Sequence, residues 1–173
     1  MFNWIADSKI SRDTLPPNGT FAITQIQVEE INKTKDEERR ANLLLAQASL
    51  HCELLPTESF VVDLSRIGYA KVSDGILYSS LKAELDKLNG AKKNNNRDAL
   101  IAEAAIANGH VLLTADGDLR SVTQMHGGRA IFLGQRASKE TPARTLSPAT
   151  GHQPPHLQPP HRPFDTKAPN SVT

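Results

Sequence analysis

Two acids in this 173-residue chain, Asp98 and Asp116, have the type and placement to hold a hard cation. Asp98 ends the polar run Lys92 to Arg97 and precedes an Ala- and Ile-rich segment, Ala99 to Asn108, with helical character. Gly109 follows, where a left-handed residue closes a helix. His110 to Thr114 then reads as a short buried strand that runs into Asp116. A helix of about 11 residues travels roughly 16 Å, and a strand of about six residues returns roughly 20 Å. Asp98 at the start of the helix and Asp116 at the end of the strand should therefore meet at one rim. That rim is the carboxyl edge, where open α/β sheets build their sites. Carboxylates gathered there are hard oxygen ligands suited to Mg²⁺ or Mn²⁺. Each acid also has a structural reading: Asp98 as the N-cap of its helix, and Asp116 and Asp118 as residues of a Gly-containing turn.

The elements that must position these acids alternate between helix and strand. Met1 to Ile10 reads as a short helix, and Ser11 to Gly19 as a connector rich in turn residues. Thr20 to Ile26 is the first strand candidate. The run after it carries Ala41, Leu44, Leu45 and Ala48 at amphipathic helical spacing. Glu29 and Glu30 fall at the junction between that strand and helix, at the same carboxyl edge. Both favour a helix N-terminus through the dipole; one is expected to be structural and one functional. His51 to Leu55 reads as a second strand, Pro56 to Gly68 as a short helix, and Ile76 to Asn89 as a longer one ending at Gly90. In that longer helix Leu77, Leu81, Leu85 and Leu88 share one side. Leu119, Val122 and His126 share the face of a further helix, with His126 a helix-end residue rather than a catalyst. Ala130 to Leu133 is a last short strand. Such alternation predicts an α/β fold, a mostly parallel sheet with helices on both faces.

Composition bounds the function. The formal net charge is +1, so the chain as a whole carries no strong nucleic-acid footprint. From Gly134 onward five basic residues face two acids, which leaves the preceding body slightly acidic. The single cysteine, Cys52, permits no internal disulfide, as expected of a cytoplasmic protein. No apolar run has the length of a membrane span. Two Pro-Pro pairs and three of the six histidines (His152, His156, His161) mark residues 134–173. That composition predicts a disordered tail, so a 1–133 domain with a Pro-rich extension is expected.

Three segments, in order, resemble the PIN-domain family of VapC-type toxin ribonucleases. FAITQIQVEEINKTK is similar to the family's second strand and following helix, with its acid at Glu30. NNNRDALIAEAAIANG resembles the helix that opens with a metal-binding aspartate, here Asp98, and HVLLTADGDL the strand ending in Thr-x-Asp, here Asp116. Asp118 would be a fourth participant. The resemblance covers Met1 to Leu133. It implies a three-layer α/β/α fold and metal-dependent hydrolysis of a phosphodiester in RNA. Glu30, Asp98 and Asp116 would be the catalytic acids, and with Asp118 the ligands of Mg²⁺ or Mn²⁺. It also implies an antitoxin partner and a homodimer. Lys33, Lys35, Lys92, Lys93 and Arg97 flank the acids; of these Arg97 is the one expected to contact phosphate, and Lys35 is expected to be only solvated.

One departure is expected to matter. Family members begin with a central strand ending in Asp-Thr-Asn, whose aspartate is the first metal ligand. This sequence opens at Met-Phe-Asn-Trp, similar to the helix after that strand, and Asp7 is not its equivalent. An N-terminally truncated chain with unpaired strand edges is therefore expected. The alternative is a catalytically impaired PIN remnant acting only as a protein- or RNA-binding module. A phosphotransferase built on Asp116-x-Asp118 ranks below both, because such enzymes place their aspartate pair after the first strand.

Overall fold

The computed structural model describes residues 1–133; the expected tail lies outside the described residues. The protein is mixed α/β, with six α-helices and four short strands among the described residues. Helix α1 (Phe2–Ala6) leads through a 3₁₀ turn to β1 (Ala22–Thr24), α2 (Gln25–Asn32), α3 (Glu37–Ser49) and β2 (Glu53–Leu55). After a long loop come α4 (Ile76–Asn89), α5 (Asn95–Ala107), β3 (Val111–Thr114), α6 (Gly117–Met125) and β4 (Arg129–Phe132). All strand pairing is parallel, as the alternation predicts, but the strands form two separate pairs rather than one sheet. β1 runs beside β2 from Ala22 opposite Glu53 to Thr24 opposite Leu55. β3 runs beside β4 from Val111 opposite Arg129 to Thr114 opposite Phe132.

Helix α5 organises the core. Ala99, Leu100, Ile101, Ala102, Ala104 and Ala105 are all buried, the all-round apolar pattern of a helix enclosed on every side. It packs with Leu81 and Leu85 of α4, Leu112 of β3, and Leu119 and Val122 of α6. A second cluster gathers Phe2, Leu15, Ile23, Ile31, Leu43, Ala46 and Leu50, with Leu113 packed against it. Consecutive residues of β3, Leu112 and Leu113, thus feed different clusters, as the two-residue period of a strand requires. Gly109 closes α5 with φ 66°, the left-handed geometry expected of it. At Gly128 a Cβ would lie 2.6 Å from Ile106 Cγ1, so only glycine lets the chain turn from α6 into β4 against α5.

Four expectations are corrected. The strand predicted over Thr20 to Ile26 is cut to three residues, because the Thr24 N–H donates to Gln27 Oε1 at 2.9 Å and a capping box starts α2 at Gln25. Glu29 and Glu30 consequently sit inside a helix rather than at the junction. Second, the long run after the strand breaks into two helices, with the Asp36 carboxylate accepting from the Arg39 N–H at 2.7 Å to start α3. The buried stripe of α3 is Leu43, Ala46 and Leu50, while Leu44 and Leu45 are exposed. Third, no helix forms over Pro56 to Gly68. Asp63 takes a left-handed φ of 67°, and Thr57 bonds across the loop to both Tyr69 and Lys71. Fourth, α1 ends at Ala6, and Ser8 follows with φ 55°. The helix over Ile76 to Asn89 forms as predicted, although Leu88 is exposed.

Candidate functional site

Among the described residues Asp98 is a strongly perturbed acid. Helix α5 begins at Asn95, four residues earlier than the sequence suggested, so Asp98 lies in its first turn and is not its N-cap. The earlier start comes from Asn95, whose buried amide donates to Asp86 Oδ1 at 2.7 Å and to the Gly90 carbonyl at 2.9 Å. These bonds pin the turn between α4 and α5. Asp98 itself is partly buried, and burial, then the charges of Asp116 and Glu30, push its carboxyl up to about 6. The neighbouring Arg97 opposes that rise. Asp98 of α5 thus feels the charges of Asp116, the N-cap of α6, and of Glu30 on α2. A first-turn carboxylate is ordinarily favoured by the helix dipole; here desolvation and like charge outweigh it.

Asp116 has two occupations. It terminates β3 and is the N-cap of α6, its Oδ1 accepting from the N–H groups of Asp118 (2.8 Å) and Leu119 (3.0 Å). Its own N–H donates to Thr114 Oγ1 at 3.0 Å. Both capping bonds use the same carboxylate oxygen, Oδ1. Asp118 is partly buried in the first turn of α6.

The two glutamates of α2 separate sharply. The Glu29 carboxylate meets Arg66 Nε at 2.5 Å, Lys33 Nζ at 3.0 Å and the Gln25 amide at 3.3 Å. Burial would raise it, but Lys33, Gln25 and Arg66 together hold it below the usual range. Glu30 is half-exposed and meets only Arg97, at 3.8 Å. Partial burial raises it, with Arg97 and then Lys33 working the other way. Glu29 is thus neutralised within its own surroundings, whereas Glu30 turns to the side of Asp98. Arg97 reaches Glu30 across from α5; Lys33 pairs with Glu29, and Lys35, Lys92 and Lys93 are exposed. Asp7, at the end of α1, pairs with Arg39 and Lys9.

As a donor set the rim fits a divalent cation in kind: carboxylate oxygens whose mutual repulsion a positive charge would relieve. As they stand, no three His, Cys, Asp or Glu side chains among the described residues are grouped tightly enough to hold one ion. The Glu30–Arg97 contact and the Asp116 cap each turn part of the donor set elsewhere.

A second acid on α5 escaped the sequence reading. Glu103 is buried, with Oε1 accepting from Ser59 Oγ at 2.7 Å and Oε2 from the Ser59 N–H at 3.0 Å. Ser59 Oγ is also 2.7 Å from Ser73 Oγ. Burial raises Glu103, and the Ser59 bonds pull against it. A lone glutamate inside Leu-Ile-Ala-Glu-Ala-Ala-Ile was the available signal: an acid on a wholly apolar helix needs donors from another segment.

A cavity of about 420 Å³ lies away from the acids. It is a slot between β1 and β3, floored by Ile101, Ala104 and Ala105 of α5. No family model, curated protein or solved structure matches the chain. No described helix is long and apolar enough to cross a membrane.

Proposed function

We propose that the protein is a divalent-metal-dependent ribonuclease of PIN type, in a three-layer α/β/α arrangement, with Glu30, Asp98 and Asp116 as its catalytic acids. The observation that carries this reading is the rise of Asp98 to about 6 under the charges of Asp116 and Glu30. A partly buried acid raised by neighbouring like charges is a candidate site residue. Glu103 and Glu29 show what scaffold acids look like here: each has its own donors.

Glu30, Asp98 and Asp116 would hold Mg²⁺ or Mn²⁺, with Asp118 beside them. When bound, such an ion supplies a water acidic enough to attack a phosphodiester and neutralises the phosphate oxygens. The chain's own groups do the rest. Asp116 keeps one oxygen on the α6 cap and would offer the other to the ion. Arg97, loosely paired at 3.8 Å, is placed to exchange Glu30 for a phosphate oxygen. The resemblance adds a cytoplasmic toxin paired with an antitoxin protein, and a homodimer.

The test is cleavage of single-stranded RNA by the full chain in Mn²⁺ or Mg²⁺. Metal-dependent cleavage lost in both Asp98→Asn and Asp116→Asn is expected; full activity in both variants would refute the assignment. The second reading, a PIN remnant that binds RNA or protein without cutting, is favoured by the acids not closing on one another and by the two separate strand pairs. RNA retention on a filter without cleavage, unchanged by metal or by Asp98→Asn, would select it.

A further inference from the structure

The loop over residues 56–75 reaches the acid rim through one cation. Arg66 Nε meets the Glu29 carboxylate at 2.5 Å, and Glu29 precedes Glu30 on α2. Leu64 of the same loop lines a small cleft with Glu30, Lys33 and Arg97, where α2 meets the start of α5. Three cations, Lys33, Arg66 and Arg97, thus border the two glutamates. The loop's other cation belongs elsewhere. Lys71 pairs with Glu58, whose carboxylate also accepts from Asn108 at the far end of α5.

Arg66 is placed to donate outward as well as to balance Glu29. The side chains of Arg66 and Lys33 are 62% and 64% exposed, against 13% for the carboxylate they share. An approaching anion therefore meets the two cations before the acid between them. Among the described residues no hydrogen bond uses either Nη group of Arg66, and that pair is the edge that forks a phosphate. The turn that carries Arg66 adds a second group. Tyr69 N–H donates to the Arg66 carbonyl at 3.0 Å, and Gly68 takes φ 87°, as a type II turn requires at its third position. The turn sets Tyr69, 43% exposed, beside Arg66. The loop is anchored behind it, by Glu103 on Ser59 and by the Thr57 N–H on the Tyr69 carbonyl at 3.0 Å.

An open guanidinium fork and an exposed ring match two parts of one nucleotide, the phosphate and the base. A duplex keeps its base faces in the stack, whereas a single strand offers them to aromatic side chains. We propose that the turn Arg66–Tyr69 is a binding element for single-stranded RNA, with Arg66 and Lys33 on a backbone phosphate and a base stacked on Tyr69. It holds the strand on the Glu30 side of the acid rim. This inference rests on the ribonuclease reading for the identity of the ligand, and it adds which part of the chain grips the strand.

The probes are a fluorescein-labelled oligouridylate of about ten nucleotides and a strand of the same length that lacks its bases. Each is titrated with the full chain in EDTA and followed by anisotropy, so that binding is read apart from cutting. Oligouridylate should bind at least about fivefold more tightly than the abasic strand. Tyr69→Ala should abolish that preference and Tyr69→Phe should keep it. Arg66→Gln should reduce the salt slope of log Kd by about 0.7 on both strands. Equal affinity of the wild-type chain for the two strands overturns the proposal with no variant needed. An unchanged salt slope in Arg66→Gln overturns it as well, and leaves Arg66 as the counter-ion of Glu29 alone. Either result with metal-dependent cleavage intact removes this inference and spares the ribonuclease reading. The expected binding differences in a chain that cuts no RNA with metal present support this inference and remove that reading.

Discussion

Helix α5 carries two acids five residues apart that live in opposite circumstances. Glu103 is buried, and each of its oxygens accepts a hydrogen bond from Ser59. Asp98, a turn and a half nearer the N-terminus, is partly buried and faces the charges of Asp116 and Glu30. Burial raises both carboxyls, yet only Glu103 has donors supplied by a neighbouring segment to offset it. A scaffold acid comes with its donors already in place. An acid left among like charges costs stability until something positive arrives, and that cost is the mark of a site.

Breaking the two ends of α5 should therefore have opposite consequences. The largest effect is on activity: Asp98→Asn or Asp116→Asn should lower RNA cleavage by about 10²–10⁴-fold, measured as metal-dependent turnover of a labelled single strand. Next is stability at the Glu103 end. Glu103→Leu leaves the buried Ser59 N–H without an acceptor and should cost about 2–4 kcal/mol in urea unfolding. Asp98→Asn should instead stabilise the fold at pH 7.5, by about 1–3 kcal/mol.

The pH dependence sharpens the same contrast. The folded state raises Asp98 from 3.8 to about 6, so it binds that proton more tightly than the unfolded chain does. The penalty is complete above pH 6. It lifts as pH falls through 6, and is gone below about 4. The stability of the wild-type chain relative to Asp98→Asn should accordingly improve between pH 7.5 and 5, as read from paired denaturation curves. A widening gap over that interval would contradict the burial and repulsion assigned to Asp98.

The smallest effect separates the glutamates of α2. Glu29→Gln removes the carboxylate that Arg66 and Lys33 share and should cost about 0.5–1 kcal/mol with cleavage retained. Glu30→Gln should leave the melting temperature almost unchanged and reduce cleavage. Reversal of the two outcomes would assign the functional glutamate to position 29.

What was legible in the sequence followed from local chemistry. The Gly109 stop, the Leu81/Leu85 stripe and the Leu119/Val122 face all rest on spacing within one element, and they stand in the structure. The capping box at Thr24 and Gln27 is equally local, but it lies inside a β-branched run whose strand propensity masks it, so the strand is shorter than that run. Other features depended on partners remote in sequence. Leu43 rather than Leu44 and Leu45 is buried because α3 packs against α1 and β1, which no helical period reveals. The loop over residues 56–75 is fixed by Glu103, 44 residues beyond Ser59. The slot between β1 and β3 depends on how two strand pairs are spaced, a tertiary fact. For the site, the acids were legible as types, but their engagement was not: Glu29 held by Arg66, and Asp116 committed by one oxygen to α6.

The central claim is that Glu30, Asp98 and Asp116 share one cation at one rim. Substoichiometric Mn²⁺ added to the full chain, with side-chain carboxyl carbons followed by NMR, tests it most directly. The account predicts that the signals of Glu30, Asp98 and Asp116 broaden together at the lowest metal concentrations, while those of Glu29 and Glu103 persist. Broadening confined to the histidines at 152, 156 and 161, with the three acids untouched, would contradict it.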